Sequence, residues 1–273
     1  MVLRKCCVWL VVLFAFAALA ASPLSAATVE LSSSDKAKWN KLLAAAGQAD
    51  AAKLQAAYDG FIGLQKQADS LDARIKELHY RNEEALKIAK NRIRQINAAQ
   101  LSKLEKQLNQ AKKKYEPLLN RYSALNKQIS AASAAGSKEL KKLLQTQRDL
   151  LKPLVQLAKD DIKAKQDALQ AAKDAVGKKA KQVRTVLAEI DPVKVRIQAE
   201  KSAAQAPKNA VSAVMKTWKA SVRNGDAKSA GSALANLNSL ARQIADRKQK
   251  ICRYEQQIDG IISRAEALLS AAG

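Results

Sequence analysis

Histidine occurs once in these 273 residues, cysteine three times, and Phe, Trp and Tyr together make up 4% of the chain. A single His, at His79, leaves no partner for a metal site or a catalytic triad. Cys6 and Cys7 lie in the amino-terminal segment, and the one later thiol, Cys252, rules out an internal disulfide framework and any Cys-based metal cluster. Cys252 then serves as a small apolar residue or as a bridge between two chains, the first reading being favoured. Nine Gly and five Pro are few, and 48% of residues are apolar, which argues against disorder. No Walker-type GxxxxGK[ST], GxGxxG, HExxH, CxxC, GxSxG or calcium loop is present. The acid pairs Glu83-Glu84 and Asp160-Asp161 sit on helical stretches, where neighbouring side chains point apart and cannot work as a general acid and base. The chain therefore reads as non-enzymatic, with no cofactor and no metal.

What is abundant is helix-forming and basic. Ala and Leu dominate the apolar half and 27% of residues are charged, the composition of long helices and coiled coils. Lys and Arg total 48 against 25 Asp and Glu. Arg4 and Lys5 precede an apolar run from Val8 to Ala21, followed by the small-residue stretch Ser25-Ala26-Ala27, the pattern of a cleaved export signal over 1–27. The run is shorter than the roughly 20 residues of a membrane-spanning helix, so a retained anchor is the lesser reading. The protein is accordingly expected outside the cytoplasm, extracellular or held at the cell envelope.

Without its leader the chain has a net charge of +21, and Arg74 to Arg184 alone holds 27 basic and 11 acidic residues. Lys outnumbers Arg 34 to 14, which suits diffuse attraction to a polyanion more than bidentate recognition.

Hydrophobic periodicity predicts an all-α fold. A short helix through Trp39, Leu42 and Leu43, capped by Asp35 or one of Ser32 to Ser34, ends at Gly47. A long helix follows with its seam on Leu64, Ala68, Leu71, Ile75, Leu78, Asn82, Ala85 and Ala89, alternating steps of four and three. From Ala89 the seam runs through Ile93, Asn97, Leu101 and Leu104 with several steps of four, which predict a stutter, before heptads resume from Leu108 to Ile129. Gly136-Ser137 closes a small polar stretch and marks a hairpin tip near 130–137. A second heptad series through Leu140, Leu144, Gln147, Leu151, Leu154, Ala158, Ile162, Lys165, Leu169, Ala172, Val176, Val183 and Leu187 should pair antiparallel with the first. Asp191-Pro192 and Ala206-Pro207 read as helix restarts and Asn224-Gly225-Asp226 as a turn. A last helix keeps strict heptads from Ala230 to Leu269.

The expected organisation is thus N-terminal helices over 28–73, a basic antiparallel coiled-coil hairpin over 74–190, and returning helices with a C-terminal helix over 191–273. The hairpin is read as a stalk. The N-terminal and returning helices form a three- or four-helix bundle base around Trp39, Trp218, Tyr58, Phe61 and Tyr254. A tip centred at Ala135 would set Pro117 opposite Pro153, and would gather Lys90, Arg92 and Arg94 with Lys178, Lys179 and Lys181 as an anion-binding level of the stalk. A weaker basic cluster would join Lys112, Lys113 and Lys114 to Lys152 and Lys159.

The partner these features suit best is an anionic envelope polymer or an anionic lipid surface. The alternative is a protein-interaction scaffold, a holdase, or a regulator of an envelope enzyme, acting through the coiled coil on another protein or on a second copy of the chain. Nucleic acid, invited by a pI near 10.0, is disfavoured by export and by a stalk almost without aromatics to stack on bases.

Overall fold

A computed structural model of the chain describes residues 31–271; the expected signal over 1–27 lies outside them. The described residues form seven α-helices and no strand: α1 (Ser33–Ala45), α2 (Gln48–Arg94), α3 (Ala98–Ala134), α4 (Lys138–Ala188), α5 (Ile190–Ala203), α6 (Gln205–Asn224) and α7 (Ala227–Ser270). The all-α fold and the antiparallel hairpin, α3 against α4, stand as the periodicity predicts. None of the described helices is long and apolar enough to cross a membrane.

The chain divides into two compact units, residues 1–73 with 201–249 and residues 74–200 with 250–273. Residues 191–200 and 250–273, expected in the base, group instead with the hairpin. The reason is apolar: Ile190, Val193 and Ile197 of α5 and Ile251, Ile258, Ile261 and Ile262 of α7 share one core with Leu86, Ala89, Ile93, Val183 and Leu187. Tyr254 packs on that core too, away from the other aromatics.

The first unit is built from α1, the first half of α2, α6 and the first half of α7. Ser32 caps α1 by accepting from the Asp35 backbone N–H at 3.1 Å, and Gly47, at φ +75°, reverses the chain as only glycine does without strain. Trp39, Tyr58 and Trp218 form a ring triad with centroids 5.6–5.7 Å apart, and Phe61, Leu234 and Leu237 fill the space beneath. Gly60 lets α2 approach α7 closely: a Cβ there would stand 3.3 Å from Asn238 Oδ1, whose amide donates to the Ala57 carbonyl at 2.7 Å. Asp226 caps α7 by accepting from the Ser229 N–H at 2.9 Å, as the Asn224-Gly225-Asp226 turn implies.

In the second unit the expected stutter is a full break. Arg94 ends α2, and Asn97 stands in the left-handed region at φ 51° before α3 starts. Asn tolerates that conformation better than any branched residue, though it costs about 1 kcal/mol. The restart read at Asp191-Pro192 comes one residue earlier: α5 starts at Ile190, which puts Asp191 and Pro192 in its first turn.

The hairpin turns at Gly136, φ +69°. Lys173 meets Glu105 at 3.0 Å and Asp161 lies beside Tyr115, partners six to eight residues from those a tip at Ala135 would assign. The turn falls one residue later. In addition, side chains on both arms lean toward their own helix N-termini, which in an antiparallel pair adds about one turn to the apparent register. With the turn one residue later, Pro117 comes level with residue 155, about 3 Å along the axis from Pro153.

Along α4 the buried or half-buried apolar positions are Leu144, Leu151, Val155, Ala158, Ile162, Leu169, Ala172, Val176, Ala180, Val183, Val186 and Leu187, with Lys141, Gln145, Arg148, Asp161, Lys165 and Lys179 half-buried beside them. Gln147 and Leu154, placed on the seam by periodicity, are exposed. Two leucine-rich stripes one residue apart run along this part of α4, and a heptad count cannot tell which one meets α3.

Candidate anion-binding site

The second unit holds a groove of about 440 Å³ where the end of α2 passes the junction of α4 and α5. Its floor is apolar, formed by Leu86, Ile93, Leu187 and Ile190, all buried. Its walls carry Lys90 and Arg94 from α2, Arg184 from α4, and Lys194 and Asp191 from α5. Helical spacing explains the convergence. Residues 90 and 94 are one turn apart on one face of α2, as 190 and 194 are on α5, and Arg184 lies one turn before Leu187 and Ala188.

Four cations against Asp191 in the lining and Glu83 on the rim leave the groove with a net positive charge. Lys194 donates to Glu83 at 2.7 Å on the rim, and this bond, with the charge of Lys194 behind it, holds the Glu83 carboxyl below the ordinary carboxylate range. Arg94 and Arg184 have no carboxylate within ion-pair distance among the described residues. Both stand near helix C-termini, whose partial negative charge favours a guanidinium there and offsets part of its field. Their planar donor sets match a phosphate or carboxylate, while the apolar floor accepts no proton and offers no nucleophile. The arrangement offers an anion positive charge and hydrogen-bond donors.

The six stalk residues assigned to anion binding are not brought together as one cluster. Lys90 and Arg94 line the groove. Arg92, on the next face of α2, instead pairs with Glu266 of α7 and donates to Ser270 at 3.3 Å. Lys179 donates to the Leu269 carbonyl at 3.4 Å, while Lys178 and Lys181 are exposed beyond it. The cause is α7, whose end takes up partners that a two-helix register would have set against each other. In the second cluster Lys114 lies 5.1 Å from the ring of its neighbour Tyr115 and acts on Asp161 across the hairpin, two residues along α4 from Lys159.

Arg184 and Lys194 were not singled out in the sequence, yet 184, 187, 191 and 194 follow steps of three and four that keep one helical face from α4 into α5, a spacing that could have found them. His79 is not isolated either. Its Nδ1 lies 3.1 Å from Glu255, a carboxylate 2% exposed, which also accepts from Asn82 Nδ2 at 2.9 Å. The seam residues Asn82 and Glu255 thus hold each other across α2 and α7. Lys248 does the same in the first unit, donating to the Ala68 carbonyl at 3.2 Å and to Asp72 at 2.6 Å. Cys252 is buried as a free thiol.

No protein-family model matches the chain, and neither the curated proteins nor the solved structures contain a match to it.

Proposed function

We propose that the protein is exported by its amino-terminal signal and, without being an enzyme, holds anionic envelope polymers or anionic lipid head groups on the basic surface of its hairpin unit. The observation that carries this reading is the groove of Lys90, Arg94, Arg184 and Lys194, set in the unit that owns most of the positive charge. Residues 74–200 with 250–273 hold 32 basic and 17 acidic side chains, and α3 through α4 alone, 98–188, hold 20 and 8. Lysines spread along the hairpin supply long-range attraction, and the paired arginines of the groove supply a contact with donor geometry.

The test is binding of the purified chain to inorganic polyphosphate and to vesicles containing anionic lipid, at rising NaCl. Binding at low salt that fades as the Debye length shortens is expected. Reversing Lys90, Arg94 and Arg184 to Glu should weaken it more than about tenfold with helix content unchanged. Equal binding by the variant sinks the groove, and no binding of either anion at low salt sinks the whole reading.

The second reading is a scaffold, holdase or regulator that works through the coiled coil on another protein. Exposed leucines on α4 favour it, and a partner retained in high salt is its signature.

A further inference from the structure

The stripe of α4 that faces away from α3 is as apolar as the stripe that is buried. Leu140, Leu143, Leu150, Leu154 and Leu157 are 48–73% exposed, and with Gln147 they follow steps of three, four, three, four and three. That is a second heptad seam, one residue out of phase with the buried one and without a partner. At about 100 Å² of apolar surface per leucine, such a stripe bares on the order of 300 Å² per chain, the size of a contact site more than of scattered surface leucines.

We propose that this seam pairs antiparallel with the same seam of a second copy, so that residue numbers across the interface add to 297. The seam is complementary to itself under that two-fold operation: Leu140 meets Leu157, Leu143 meets Leu154, and Gln147 meets Leu150. The two Gln147 side chains fall about 4.5 Å apart along the axis, close enough for their amides to bond each other and set the register.

Electrostatics choose the antiparallel pairing over the parallel one. In a parallel pair every cation would face its own copy, and two hairpins carrying 20 basic and 8 acidic residues each would lie side by side throughout. The antiparallel pair overlaps only between about residues 138 and 160, so most of each basic hairpin lies clear of the other copy. With the flanking Lys, Gln and Arg stems, two copies reach the low end of specific interfaces, about 1,200 Å², which calls for a weak, concentration-dependent dimer.

Sedimentation of the full chain from about 1 to 100 µM should show the mass doubling, and more readily in high salt, since salt screens the repulsion between the two hairpins. That sign is opposite to the one expected for polyanion binding, so the two proposals fail separately. Leu150→Lys with Leu157→Lys should weaken the dimer more than tenfold at unchanged helix content. Register is tested with Cys6, Cys7 and Cys252 replaced by Ala. Leu140→Cys and Leu157→Cys chains should form a disulfide when mixed and neither should form one alone, because like positions stand about 25 Å apart. A monomer at 100 µM, a dimer indifferent to the leucine changes, or cross-linking of either single variant with itself overturns the proposal.

Discussion

The two units reach stability by different routes. The first concentrates bulk: Trp39, Trp218, Tyr58, Phe61 and Met215 pack around Leu234 and Leu237, with Asp35, Gln65, Ser221 and Lys248 also buried in the unit. The second buries no aromatic in its core and runs on Ile, Val, Leu and Ala, with Asn82 and Glu255 bonded inside it. Small side chains strung along a seam let helices extend as a surface, whereas large interlocking ones close a compact body. The extended unit also carries the greater positive charge, 32 basic against 17 acidic residues, compared with 14 and 8 in residues 28–73 with 201–249. Form and charge coincide where contact with a polymer would be made.

That contrast can be tested by breaking each core in turn. The largest effect should come from Trp218→Ala, which removes a side chain 1% exposed at the centre of the aromatic triad and should cost about 3–5 kcal/mol. Trp39 and Trp218 both stand in the first unit, so their fluorescence should report the loss in a urea titration, with far-UV circular dichroism following the helices of both units. Next, Asn82→Leu should destabilise the second unit by about 2–3 kcal/mol, since it strips two bonds from Glu255 and leaves a buried carboxylate. Changing both residues to Leu should recover most of that loss, as replacement of a whole buried polar pair usually does.

A smaller effect belongs to Asp35, buried at the start of α1. The Ser32 hydroxyl first, then the charges of Arg223 and Lys219, outweigh burial and hold its carboxyl below the ordinary range. A folded-state pKa lowered in this way contributes stability that is present above the unfolded value, about 4, and is lost as pH falls through the lower folded value. Stability of the first unit followed by Trp fluorescence should therefore fall below about pH 4, and Asp35→Asn should flatten that dependence. The smallest is Asn97→Gly, which relieves the left-handed residue between α2 and α3 and should leave stability within about 1 kcal/mol, while Asn97→Ala lowers it measurably in thermal melts.

Periodicity made much of this fold legible. Every seam position read for α7, from Ala230 to Leu269, is buried or half-buried, and so is every one read on α2 from Leu64 to Ile93. It failed where two signals coincide or where a third helix intervenes. Both stripes of α4 are apolar at heptad steps, so the seam through Gln147 and Leu154 mixes buried and exposed positions. The basic level around Arg92 and Lys178 assumed that only two helices meet there, and the end of α7 divides it. Lys90 and Arg94 belong to the candidate site, and Arg184 and Lys194 join them from the stripe 184, 187, 191 and 194, whose steps of three and four run on from α4 into α5.

The central claim, that charge holds this protein at an anionic envelope surface, is tested most directly on the native protein in its own cells. The envelope fraction should be washed with rising NaCl and the wash, the envelope and the medium each assayed for the chain. The account predicts retention at low salt and release by a few hundred millimolar, as screening shortens the reach of exposed lysines to a few ångströms. Retention through about 1 M NaCl, or free protein in the medium at low salt, would contradict it.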